Sequence, residues 1–174
     1  MEGRILFEHY GGPWNDNAQS PRENQPIMDL FTISWQLLVI LLLVLANGFF
    51  VAAEFAIVKV RHTQLRPLVD KGDWRAPIAM TVIKNMGAYL SACQLGITLA
   101  SIGLGWVGEP FMARWMEPLL GQVGVTSPKW VHTISFIIAY LAITYLHIVV
   151  GEQAPKMFAI QRPRRVSLWV TPFL

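Results

Sequence analysis

The chain has 174 residues, of which 53% are hydrophobic and only 14% charged, with a formal net charge of +3 at pH 7 and a mean hydropathy of +0.41. Soluble domains carry about a quarter charged residues, so this balance excludes an ordinary soluble domain and a disordered, solvating chain. The lone cysteine, Cys93, excludes an internal disulfide framework and a cysteine-based zinc site.

Residues 1–28 are rich in Gly, Pro and Asn, with net charge −3 through Asp29. They lack the basic start and apolar stretch of a cleavable signal, and predict a disordered extracytoplasmic tail. Residues 30–53 contain no Asp, Glu, Lys or Arg and predict a first transmembrane helix, since about 20 apolar residues cross the hydrocarbon core. Between residues 59 and 84 the net charge is +4. There Leu65, Leu68 and Val69 recur at helical spacing among Lys and Arg, which predicts a short amphipathic helix on the membrane surface.

Residues 85–108 and 130–151 are the second and third charge-free stretches. The segment between them, 109–128, carries Phe111, Trp115, Met116, Leu119 and Leu120, a short amphipathic pattern placed along the outer interface. Four Lys or Arg against Glu152 leave +3 after the third span, and a fourth apolar segment is expected to begin at Val166. Basic loops stay cytoplasmic, so the amino end is expected outside and the 59–84 loop and carboxyl end inside. The positive charge is thereby a topology signal and needs no nucleic acid. Trp35, Trp106 and Trp130 lie near span ends, as an aromatic belt requires.

Polar groups inside such spans are costly and mark cavities, partners or pathways. In the first span, Asn47 and Glu54 are seven apart and lie on one helix face, beside the small Gly48, Ala52 and Ala53. Glu54 has two readings: an interface carboxylate paired with Lys59 or Arg61, or an inward-facing cation ligand. In the second span, Ser91, Gln94 and Thr98 share a face, while Ala92, Gly96 and Ala100 make a small-residue ridge. These are either packing contacts between helices or a row of oxygen ligands.

The third span ends in Gly151-Glu152-Gln153-Ala154-Pro155-Lys156. Pro155 has no amide hydrogen for the Gly151 carbonyl four residues back, so that oxygen is freed beside the Glu152 carboxylate. Together they outline a site for a hard cation such as Mg²⁺ or Na⁺, although a membrane-exit turn with a surface ion pair has the same letters. His132 and His147 are fifteen apart, form no ligand pair, and are expected to hydrogen-bond within the bundle or at its rim.

Asn47-Gly48-Phe49-Phe50-Val51-Ala52-Ala53-Glu54-Phe55-Ala56, then Tyr89-Leu90-Ser91-Ala92-Cys93-Gln94-Leu95-Gly96-Ile97-Thr98-Leu99-Ala100-Ser101, then Gly105-Trp106-Val107-Gly108-Glu109-Pro110 and finally Gly151-Glu152-Gln153-Ala154-Pro155-Lys156 together resemble the transmembrane domain of the CNNM/CorC family, also described as hemolysin-like. The likeness covers about residues 30–174, with four motifs in order. It implies an all-α membrane protein at the plasma membrane, a homodimeric bundle of three transmembrane helices with a juxtamembrane belt helix, and Na⁺-coupled Mg²⁺ export.

The resemblance also implies a cytoplasm-facing Mg²⁺ pocket with Glu152 as a key ligand. By position, Asn85, Ser91 and Gln94 would contribute, together with Asn47, Gly48 or the Val51 carbonyl, and Gly151 beside Glu152. Many relatives have Ser where Val51 stands, and short-form relatives carry Asn near Tyr89. The pocket here is therefore expected to bind more weakly, to use backbone oxygens, or to take another ion.

Relatives continue into nucleotide-sensing CBS modules and a small C-terminal domain, so residues 29–174 are expected to be a membrane domain cut before its regulatory half. Two functions remain open on these grounds: an ion transporter, or a non-transporting anchor and Mg²⁺ sensor for such modules. No nucleophile–base pair or phosphate loop is present in the sequence, and an enzyme is not expected.

Overall fold

The computed structural model describes residues 26–122 and 128–174. The expected tail lies outside the described residues up to position 25, as does the stretch 123–127 of the connection between the second and third spans. The described residues form helices α1 (Pro26–Lys59), α2 (His62–Asp70), α3 (Arg75–Lys84), α4 (Met86–Gln122) and α5 (Pro128–Leu146), a π-helix (His147–Gln153), then α6 (Ala154–Gln161), α7 (Pro163–Val170) and a closing 3₁₀ turn (Thr171–Phe173). Residues 26–33 are the opening turns of α1, and all packing below lies within residues 34–174.

Three stretches are long and apolar enough to cross a membrane: Leu30–Lys59, Met86–Met116 and Lys129–Gln161. They match the three charge-free segments of the sequence, and the fold is an all-α membrane fold. The third is composite, running through α5, the π-helix and α6.

Lipid is as apolar as leucine, so such helices associate by close packing rather than by hydrophobic burial. The contacts bear this out. A Cβ at Gly96 would lie 2.6 Å from the Phe50 ring, one at Gly103 would lie 3.1 Å from Leu43, and one at Gly108 would lie 3.0 Å from Ile143. Of the small-residue ridge on the second span, Gly96 thus meets α1 at Phe50 and Ala100 is buried, while Ala92 is exposed. Below it, Ala53, Ala56, Ile57, Val82, Cys93, Ala159, Val166 and Val170 form one buried cluster joining α1, α3, α4, α6 and α7.

Outside the spans, α2 is the amphipathic helix the sequence predicts. Its Leu65 is fully buried among Val60, Ala76, Ala79 and Leu168, with Leu68 and Val69 alongside. Gly72, at φ +81, ends it: the Gly72 amide bonds to the Val69 carbonyl at 2.9 Å and the Asp73 amide to the Leu68 carbonyl at 3.0 Å. This paired closure needs a left-handed residue, which glycine adopts without strain. Asp73 then starts α3 by accepting the Arg75 amide at 3.1 Å and its guanidinium at 3.1 and 3.2 Å.

Three expectations need correction or extension. The amphipathic pattern after residue 109 is no separate interfacial helix, because α4 continues through it to Gln122; its 37 residues reach about 55 Å at 1.5 Å each. The helix α3 went unread, since its buried face is made of Ala76, Ala79 and Val82 rather than large residues. The apolar segment from Val166 is not the start of a fourth span. It folds back as α7, burying Val166, Ser167, Leu168 and Val170, and the Ser167 and Thr171 hydroxyls bond to the Arg164 and Ser167 carbonyls at 3.1 and 2.8 Å.

Candidate functional site

The three spans meet at a knot of polar groups. Asn47 lies on α1, 12 residues or about 18 Å along the helix from Lys59, and is only 1% exposed. Its side-chain amide donates to the Gly151 carbonyl at 2.9 Å. Gly151 sits in the π-helix, which the Ala154 amide closes by reaching five residues back to the Val149 carbonyl. The residue an α-helix would use to bond Gly151 is Pro155, which has no hydrogen to give. Asn47, 104 positions away, supplies the Gly151 carbonyl with a donor from another span.

This bond also fixes the Asn47 amide: the nitrogen faces Gly151, so the oxygen faces Ser101 on α4, 3.4 Å away. The Ser101 hydroxyl lies 2.7 Å from the Ile97 carbonyl and 3.3 Å from His147 Nε2. One hydroxyl hydrogen serves one acceptor best, and the short contact is to Ile97. His147 is therefore assigned as the tautomer donating from Nε2 to the Ser101 oxygen. Packing holds the knot closed: a Cβ at Gly151 would come 3.0 Å from the His147 ring and 3.2 Å from the Asn47 nitrogen. One at Gly48 would touch the Pro155 ring at 3.0 Å.

Of the residues expected to hold a cation, Asn47, Gly48 and Gly151 converge here. Glu152 follows Gly151 within the π-helix, half-buried. Neither it nor the half-buried Glu54 makes an ion pair among the described residues, where Asp73–Arg75 is the recorded pair. The expected partners Lys59 and Arg61 do not reach Glu54, and the Lys156 ammonium instead lies 4.7 Å over the Phe55 ring. Val51 is buried on α1.

Ser91 and Gln94 lie on an exposed face of α4 with Thr98, whose hydroxyl bonds to the Gln94 carbonyl at 2.9 Å. Asn85 is elsewhere, closing α3 by bonding through its side chain to the Thr81 carbonyl at 3.2 Å.

Sequence reasoning missed Ser101, although the seven-residue spacing that relates Ser91 to Thr98 also relates Gln94 to Ser101. His147 is hydrogen-bonded within the bundle, as expected. The described residues contain no group of three or more His, Cys, Asp and Glu able to hold a metal.

The chain also matches known proteins. The profile of the cyclin M transmembrane N-terminal domain fits residues 37–174. The protein YugS of Bacillus subtilis, of the group named UPF0053, is 47% identical over 135 residues, 78% of this chain and 31% of the relative. Its paralogue YhdT is 48% identical over 134 residues, 77% and 29% of the two chains. An uncharacterised Mycobacterium tuberculosis protein, Rv1841c, is 37% identical over 135 residues, 78% and 38% respectively. The chain thus spans about a third of the length of these relatives. With a match of this extent over the three spans and the knot that joins them, the chain belongs to the family of the cyclin M transmembrane N-terminal domain.

Proposed function

We propose that this chain is an ion-transporting membrane domain that exports Mg²⁺ in exchange for Na⁺, working as a homodimer in the plasma membrane with its amino end outside and its carboxyl end in the cytoplasm. The observation that carries this reading is the Gly151–Glu152 pair in the π-helix: a carbonyl steered by Asn47, next to a half-buried carboxylate without an ion-pair partner among the described residues. An unpaired carboxylate in a membrane span is expensive to keep and is expected to face a pathway.

In this reading Glu152 supplies the charge that binds the ion. The Gly151 carbonyl, the Asn47 amide oxygen and the Gly48 and Val51 backbone supply neutral oxygens. Ser91 and Gln94 contribute from the exposed face of α4, where Leu95 and Leu99 are each 60% exposed. Polar and apolar groups side by side on that face favour cover by a second copy. The lysines and arginines of α2, α3 and α7 set the orientation.

The test is Mg²⁺ efflux from loaded proteoliposomes under an imposed Na⁺ gradient. Glu152→Gln is expected to lose at least tenfold in rate while melting as the parent does; a well-folded variant with unchanged efflux would refute the assignment. A non-transporting anchor and Mg²⁺ sensor is the second reading, favoured by the large remainder of each relative outside the matched region. It predicts Mg²⁺ binding that Glu152→Gln abolishes, with no flux in either protein.

A further inference from the structure

Two open cavities lie on the α7 side of the fold, the second sharing Gly48 and Pro155 with the knot. The first, about 540 Å³, is bounded by α2 and the α6–α7 junction and lined by Lys71, Arg162, Arg164, Arg165, Gln64 and Gln161, among others. Its four cations make no ion pair with any carboxylate among the described residues. The second, about 720 Å³, is an apolar groove between α1, α6 and α7, walled by Gly48, Ala52, Pro155, Phe158, Val166 and Trp169 with their neighbours. Gly48 and Ala52 keep its floor low because neither carries a side chain beyond Cβ. Phe158 and Trp169 remain 54% and 67% exposed along its edge.

Arg165 lines both cavities. A basic chamber and an apolar groove that open onto one arginine have the polarity of a phospholipid, charged at one end and hydrocarbon at the other. The groove runs along α1 toward the interior of the first span, while the chamber lies beyond Lys59 among the surface helices, which is the depth order of a headgroup and its acyl chain. We propose that this composite site binds an anionic phospholipid, its phosphate held by Arg165 with Arg162, Arg164 and Lys71, and one acyl chain lying in the groove over Gly48 and Ala52. Basic pockets beside membrane helices take anionic headgroups by the same electrostatics, and the groove adds recognition of the tail.

Native mass spectrometry of the 174-residue chain released from neutral detergent tests this, with dioleoyl phosphatidylglycerol as the probe and dioleoyl phosphatidylcholine as the uncharged comparison. The anionic lipid is expected to bind at least tenfold more tightly. Arg165→Gln is expected to weaken it about five- to tenfold, as one charged contact is worth, while Arg165→Lys keeps most of the affinity. Ala52→Phe, which fills the groove, is expected to weaken it similarly; should that variant misfold, the Arg165 pair decides the matter alone.

The double variant Lys59→Gln/Arg66→Gln removes two bases that line neither cavity and is expected to bind as the parent does. Equal binding of the two lipids, or an equal loss in that double variant, overturns the proposal in favour of diffuse surface attraction. Inorganic phosphate displacing the lipid as well as lysophosphatidylglycerol does would make the site one for a free anion and overturn it too. So would an Ala52→Phe chain that binds lipid normally but no longer dimerises, since a second copy then fills the groove.

Discussion

Replacing Asn47 by leucine tests the physical basis of the knot. The substitution keeps the branching of the side chain, in a somewhat larger volume, but removes the amide that meets the Gly151 carbonyl at 2.9 Å, and with it the contact to Ser101 at 3.4 Å. A buried carbonyl left without its donor costs about 1–3 kcal/mol, while hydrogen bonds between membrane helices average about 0.6 and reach about 1.7 kcal/mol. The expected loss is therefore about 1–2 kcal/mol, or roughly a five- to thirtyfold fall in the folded-to-unfolded ratio.

Part of that loss is expected to originate in Pro155, which withholds the hydrogen that an α-helix would offer Gly151. Pro155→Ala restores an amide four residues beyond Gly151 and offers the carbonyl an α-helical donor. In that background Asn47→Leu is expected to cost about 1 kcal/mol less, and the double-mutant cycle isolates this coupling. Unfolding in mixed micelles by increasing fractions of sodium dodecyl sulfate, followed by far-ultraviolet circular dichroism, measures all four corners. Equal costs of Asn47→Leu in the two backgrounds, within about 0.5 kcal/mol, would refute the claim that Asn47 stands in for the missing donor.

Gly96→Leu drives a side chain into the Phe50 ring, whose atoms lie 2.6 Å from the Cβ position, and is expected to cost about 1–3 kcal/mol in the same unfolding assay, with partial recovery by Phe50→Ala. Ser135 is fully buried on α5 and its hydroxyl makes no hydrogen bond among the described residues, so Ser135→Ala is expected to be neutral or stabilising; a loss above about 1 kcal/mol would show a partner for that hydroxyl. Leu65→Ala empties the centre of the α2–α3 pair and is expected to cost about 2–5 kcal/mol, read as a lower melting temperature. The Arg75 side-chain and backbone hydrogen bonds hold the Asp73 carboxyl below its ordinary value. The contribution of that turn is intact above the ordinary carboxylate pKa and is lost as pH falls through the lower folded value, so carbon-detected NMR titration should place Asp73 below the ordinary aspartate value.

The spans were legible because hydrocarbon tolerates so few charges that their absence marks depth directly. Asn47, Gly151 and Glu152 were legible by the same rule applied in reverse: a polar group in such a stretch needs a reason. The pairing of Asn47 with Gly151 was not. Proline at 155 announces a missing bond, but whether the helix kinks, frays or shifts to a five-residue register depends on what a distant helix offers the freed oxygen. Segment 166–174 misled for the opposite reason, since an apolar stretch of nine residues reads alike whether it enters lipid or packs on protein. The buried Val166, Leu168 and Val170 put it on the protein. Asn85 shows a third case, in which a helix end only four residues from Thr81 claims the amide that the resemblance had assigned to the pocket.

The distribution of unpaired charge joins the proposed pathway to the proposed lipid site. Glu54 and Glu152 have no ion-pair partner among the described residues, and neither do Lys71, Arg162, Arg164 and Arg165. Stability alone would favour pairing them, because an uncompensated charge at a membrane boundary loses solvation without regaining it from a partner. Lys71, Arg162, Arg164 and Arg165 gather on the α2 and α7 side, apart from Glu54 and Glu152 in the spans, while Lys156 within the third span lies over the Phe55 ring. Gly48 and Pro155 form the partition, since they pack together at the knot and also wall the groove. Each sign is thereby left without an ion-pair partner among the described residues, as the proposed cation at the acids and the proposed phosphate at the bases would require.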